Sequence, residues 1–279
     1  MKKKFKIIYM CILAAICLWG GVILLWKITP LKYKLLVTLY IDRPQLLMCK
    51  DDVDRLDIVR DWVYENVPFA WNGDTYREEE PDHLLEKIVN HQDIDFGYYC
   101  GWTAQLLYRV YEIMGYSACC LDMAIAERDN ILASHVVTLV YVDESWIVED
   151  ATFNITYTDG QGNHLDVVDL KEYYMTGSEY AVYHGDTLYK QMIFADDSYI
   201  SYYDLQSGKE DAYKKNGKYY YTVNMDINKN LQFGMPEAIG LLKRNGYEIN
   251  EAVWYAFPYD IYFCPETETG DLLKKRLNL

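Results

Sequence analysis

Residues 95–104 read Asp95-Phe-Gly-Tyr-Tyr-Cys100-Gly-Trp-Thr-Ala104, a glycine-bearing loop running into a helix. Beyond Cys100, apolar or aromatic side chains recur at Leu106, Leu107, Val110, Tyr111 and Met114, and Gly115 follows. That is the 3.6-residue period of an amphipathic helix with a glycine where its C-terminus belongs. A sulfur in the first turn faces N–H groups without intrahelical acceptors and the positive end of the helix dipole, both of which favour a thiolate. The thiolate, and not the thiol, is the nucleophile.

His135 opens an apolar strand, Ser134-His-Val-Val-Thr-Leu-Val-Tyr-Val142, and Asp150 closes a second one, Ser145-Trp-Ile-Val-Glu-Asp150. An imidazole can take the thiol proton and return it to a leaving amine. A carboxylate can hold that imidazole in the required tautomer. With Asp143-Glu144 as a two-residue turn, Val142 faces Ser145 and Asp150 faces Val137. His135 and Val137 share a strand face, so Asp150 becomes the diagonal neighbour of His135, roughly 7–8 Å away at the backbone. A four-residue loop keeps this parity, whereas a three-residue loop presents Glu149 instead. Asp-Glu also lacks the glycine that a primed turn favours.

In this order the chain resembles the transglutaminase-like superfamily, with its papain-like cysteine-enzyme core. The resemblance rests on Cys100 after a glycine-containing loop, the helix to Gly115, a strand over 117–126, the His135 strand, and Trp146-Ile-Val-Glu-Asp150-Ala-Thr. The preceding helix, Leu56-Asp-Ile-Val-Arg-Asp-Trp-Val-Tyr-Glu-Asn-Val-Pro-Phe69, also fits. The match spans 50–155. It favours Asp150 over Glu149 and implies an α+β fold with catalytic Cys100, His135 and Asp150, the cysteine at a helix N-terminus packed on an antiparallel sheet. Two positions depart from the common pattern: Val136-Val137 follows the histidine in place of Ala-Trp, and Ala118 precedes Cys119-Cys120 where many members carry an arginine. Both leave the triad intact and the substrate class open.

The N-terminus reads as a membrane anchor. Lysines at 2, 3, 4 and 6 precede an apolar run from Ile7 to Trp26, bounded by Lys27. Such a length spans a bilayer, and the basic flank favours an inside N-terminus. A cleaved signal peptide is the rival reading. The expected organisation is a cytoplasmic tail at 1–6, a transmembrane anchor at 7–26, a linker at 27–49, a catalytic domain at 50–185 and a Tyr-rich extension at 186–279.

Charge narrows the partners. All 42 acidic residues lie beyond residue 27, with 22 of the 27 Lys and Arg, a formal charge of −20 for that part of the chain. Such a surface repels nucleic acid. Glu78-Glu-Glu80 reads as a solvated loop before a helix opened by Pro81 and running over 82–91. Five cysteines lie outside the anchor (Cys49, Cys100, Cys119, Cys120 and Cys264), an odd number that leaves at least one free thiol. Cys119 and Cys120 point to opposite strand faces. His164 and His184 stand apart from any Cys–His metal spacing, and no phosphate loop or dinucleotide fingerprint occurs, so no metal or cofactor is expected. Farther on, Asp169–Met175 reads as a short helix, Lys214-Lys-Asn-Gly-Lys218 as a hairpin turn, and Pro236–Asn245 as a helix. Tyr-rich segments at 198–203 and 218–223 read as strands.

The expected function is a membrane-anchored extracytoplasmic thiol enzyme acting on amide bonds of a peptide or protein substrate. Hydrolysis, acyl transfer to an amine, and a non-catalytic binding module are the alternatives. The Cys100 N–H is one oxyanion donor, with Gln92 and Trp71 as upstream candidates for the second.

Overall fold

The computed structural model describes residues 45–70, 79–127, 130–176, 181–187, 189–194, 209–215, 218–224 and 260–279, with Val37, Ile41 and Arg43. Met1–Asp42 and Arg43–Leu279 are two compact units. In the first, Val37 and Ile41 are buried. Among the described residues no helix is long and apolar enough to cross a membrane; the anchor expected at 7–26 lies outside them. So do Trp71, the segment 198–203 and the helix expected at Pro236–Asn245.

The second unit is α+β. Its elements are α1 (Gln45–Met48), α2 (Asp52–Asn66), β1 (Phe69–Ala70), α3 (Pro81–Val89), α4 (Cys100–Met114), β2 (Ser117–Glu127), β3 (Asn130–Val142), β4 (Ser145–Asp150), β5 (Ile155–Thr158), α5 (Val167–Thr176), β6 (Ala181–His184), β7 (Tyr189–Phe194), β8 (Lys209–Lys215), β9 (Lys218–Asn224), β10 (Asp260–Tyr262) and α6 (Glu268–Leu277). One sheet is antiparallel throughout, in the order β10-β2-β3-β4-β5-β6. The other runs β1-β7-β9-β8, antiparallel except for the parallel pair β1–β7. Strands from either side of residue 186 share both sheets, β7 beside β1 and β10 beside β2.

Local chemistry sets several boundaries. Asp51 caps α2, its carboxylate accepting from the N–H of Val53 and Asp54. Gly115, at φ 101°, ends α4 in the left-handed conformation that a residue without Cβ adopts freely. Helix α3 stops at Val89, short of the expected His91, which itself sits at φ 51°. Strand β3 begins at Asn130, before the expected Ser134, because β2 pairs with it over a long hairpin with a register shift at Ile125/Ala126.

The β3–β4 turn is a two-residue one. Val142 pairs with Ser145, and the ladder runs to Thr138↔Glu149. Asp143 (φ 48°) and Glu144 (φ 64°) both take left-handed conformations, so a primed turn forms without glycine. Its twist matches that of the flanking strands, which offsets the steric cost. Val137, Leu139, Trp146 and Val148 lie on one face, in a core cluster shared with Phe69, Phe153, Leu170, Met192, Leu273 and Leu277. The opposite face meets α4, where the Thr138 hydroxyl donates to the Ala104 carbonyl at 2.9 Å.

Candidate active site

Cys100 is the first residue of α4, and Tyr99 before it caps the helix without a side-chain hydrogen bond. A hydrogen-bond network holds the approach loop in place. Tyr98 is buried, donates its hydroxyl to Glu79 at 2.7 Å and donates its N–H to the Pro68 carbonyl at 2.8 Å. Glu79 also pairs with Lys87 and His83. The expected solvated loop at 78–80 is thus corrected at its centre: Glu79 is buried beneath the cysteine loop. Burial alone would raise its carboxyl, and Lys87 and Tyr98 outweigh that and lower it. Gly97 packs on the backbone of β1, where a Cβ would fall 2.3 Å from the Ala70 Cβ and 2.5 Å from the Ala70 nitrogen. A larger residue would force that backbone to shift.

His135, 8% exposed, extends from β3 toward Asp150, which is 1% exposed at the end of β4. Nε2 of His135 lies 2.7 Å from Oδ2 of Asp150. With the carboxylate as acceptor the proton sits on Nε2, which leaves Nδ1 free to serve the Cys100 thiol, and that thiol lies near enough to act on the ring's titration. Burial would depress the imidazole. The charge and hydrogen bond of Asp150, with a smaller contribution from Cys100, outweigh it and hold the ring well above its ordinary value. The other oxygen of Asp150 accepts from the N–H groups of Thr152 (2.8 Å) and Phe153 (3.2 Å). The same carboxylate therefore folds the turn after β4 and orients the histidine. Phe153 places its ring 5.3 Å from that of His135 and walls one side of the site.

Glu149 points the other way. It is fully buried, accepts from Arg60 Nη1 at 2.5 Å and lies 3.5 Å from the Tyr111 hydroxyl. Arg60 also pairs with Asp57, and donates from Nε to Asn154 Oδ1 at 3.2 Å. Burial raises the Glu149 carboxyl despite the guanidinium beside it. His164 stands against this cluster, so that single ligand atoms of Asp57, Glu149 and His164 lie within 4.8 Å of one another. The fold brings to this cluster a histidine that stands alone in the sequence. Arg60 already supplies the positive charge that an ion would bring there.

Two further residues escaped the sequence reading. Lys190, on β7, is buried at 1% exposure, donates to the Tyr64 carbonyl at 2.8 Å and lies 4.5 Å from that ring's centroid. Burial lowers it to about 7, opposed by the charge of Asp150. Phe153 carries no motif of its own. For the second oxyanion donor, Gln92 lines a cleft of about 320 Å³ with Glu65, Asp95, Gln191 and Tyr220, a set that does not include Cys100.

No protein-family model matches the chain, and no curated protein matches it. Solved structures similar to part of it include a candidate cysteine protease from Cytophaga hutchinsonii, with 16% identity and a TM-score of 0.33 over 44% of this chain and 37% of that one. Another is a TGase, with 14% identity and a TM-score of 0.28 over 44% of this chain and 32% of that one. The chain spans about a third of the length of these proteins.

Proposed function

We propose that the protein is a membrane-anchored, extracytoplasmic thiol hydrolase of transglutaminase-like, papain-like type. It cleaves amide bonds in peptide or protein substrates through Cys100, His135 and Asp150. The observation that supports this reading is the 2.7 Å pairing of His135 with Asp150, with the Cys100 thiol at the helix start near enough to act on the same ring.

In the proposed cycle His135 takes the Cys100 proton and the sulfur attacks the amide carbonyl. The N–H of Cys100, at the first turn of α4, stabilises the oxyanion; such a donor contributes roughly 10²–10³ in rate. His135 then gives its proton to the leaving amine, and water attacks the acyl-enzyme with His135 as base. Asp150 keeps the ring oriented throughout. The −20 charge beyond residue 27 favours neutral or basic substrate segments over acidic ones.

The test is labelling of the full chain with a thiol-directed acyl probe, followed by mass spectrometry of products from a basic peptide with and without an added primary amine. Labelling at Cys100 that depends on His135, with hydrolysed product dominant, supports the reading. Mostly amine-linked product replaces hydrolysis with acyl transfer. Absence of selective labelling at Cys100 removes the enzyme and leaves a binding module.

A further inference from the structure

The described cysteines are all free, and two of them meet the same core cluster. Cys119 lies on β2, fully buried in the core cluster, and Cys264 packs against the same cluster from the segment between β10 and α6. Strand β10 brings them together: Tyr262 pairs with Cys120 and Ile261 with Leu121, after which Phe263 turns into the left-handed region at φ 58°. The turn that follows is tight. A Cβ on Gly270 would lie 2.1 Å from the Pro265 carbonyl oxygen and 3.2 Å from the Cys264 sulfur, and that sulfur lies 3.6 Å from the Gly270 carbonyl. Cys264 is therefore held against the core cluster that contains Cys119, one strand away from it, and each thiol shifts the titration of the other.

We propose that Cys119 and Cys264 form a redox pair, a disulfide site that fastens the C-terminal segment 260–279 to the central sheet. The two sulfurs are unequal. Donation from the Cys119 thiol, against burial and with help from Lys274, brings Cys264 down to about 7. Burial first, and the neighbouring Cys264 second, push Cys119 well up. Cys264, half-buried, is the sulfur that meets an outside reagent, and Cys119 is the resolving one.

The oxidant is a low-molecular-weight disulfide. The Cys264 thiolate attacks one of its sulfurs, breaking that S–S bond, forming a mixed disulfide and releasing one thiolate. Cys119 then attacks the Cys264 sulfur and displaces the second thiolate. The protein loses two electrons and two protons, and the reagent leaves as two thiols. The new bond closes a loop of nearly the whole sheet, from β2 round to β10, and removes much of the freedom of the unfolded chain.

The experiment treats the reduced full chain, carrying Cys100→Ser so that the candidate nucleophile stays out, with oxidised glutathione. Thiols are blocked at low pH and the peptides mapped without reduction. The expected result is a linked peptide pair holding Cys119 and Cys264, a Tm rise of roughly 10 °C reversed by reductant, and loss of that rise in Cys264→Ser and in Cys119→Ala. Glutathione left standing on Cys264, or a link from Cys264 to any cysteine other than Cys119, overturns the proposal. The mapping needs neither pair variant, so a variant that fails to fold does not blunt the test.

Discussion

The Oδ2 of Asp150 reaches Nε2 of His135 at 2.7 Å although the ladder between their strands stops at Thr138↔Glu149, one residue before Asp150 would pair with Val137. Strand β4 ends there because the second oxygen of Asp150 draws in the N–H groups of Thr152 and Phe153, and Asp150 then pairs with Ile155 on β5. The carboxylate is fixed from the side away from the histidine, so its orientation does not depend on the histidine being present.

Cys100 should alkylate faster at pH 7 than Cys49. Replacing His135 with Ala should slow it by about tenfold or more, because the thiolate then loses its imidazolium partner. Competitive iodoacetamide labelling read by mass spectrometry gives both rates together. Equal rates at Cys100 in wild type and variant would detach the histidine from the thiol.

Asp150→Asn and Glu149→Gln should fail differently. The first should lower Cys100 alkylation strongly in a folded protein, since an amide supports the wrong tautomer. The second leaves Arg60 buried beside a neutral amide, with only the partly exposed Asp57 as ionic partner. It should cost roughly 3 kcal/mol while leaving the Cys100 rate in the folded fraction near wild type. Urea unfolding alongside the labelling assay separates the two. A stable Glu149→Gln protein with an unreactive cysteine would reverse the assignment.

Gly97→Ala should destabilise the protein by about 2 kcal/mol and slow Cys100 labelling, because the added methyl must displace the Ala70 backbone that seats the cysteine loop. Thermal melts and the same labelling assay check it, and an unchanged melt would show that the loop is not seated on β1.

The pH dependence of stability should carry two opposite slopes. Lys190 is lowered from 10.5 to about 7 in the fold, so its burial penalty is full below about pH 7 and is relieved as pH rises toward 10.5. Lys190→Met should therefore raise the Tm most below about pH 7 and least near pH 10. His135 is raised above 6.5, so its contribution is full below pH 6.5 and is lost as pH rises through its folded value. The Tm gap between wild type and His135→Gln should accordingly shrink as pH rises. Melts of the two variants across pH 5–10 decide the matter; a gap that widens with pH for His135→Gln would mean that the ring is buried neutral.

Local elements and their order are legible along the chain. The 3.6-residue period delimits the helix from Cys100 to Gly115, and two-residue alternation on either side of Asp143-Glu144 places Asp150 on the face of Val148 and Glu149 on the other. These are nearest-neighbour effects, written in spacing. Tertiary structure alone decided the rest. Glu79 reads as one more charge in an acidic run until Tyr98, Lys87 and His83, all later in the chain, close over it. Lys190 lies in an ordinary polar-apolar stretch, yet pairing of β7 with β1 and β9 carries it beneath Tyr64. Cys119 and Cys264 are separated by more than half the chain and meet because β10 adds to the edge of β2. Burial and long-range contact set the charge state and partners of each of these residues, and neither quantity is a property of any one segment.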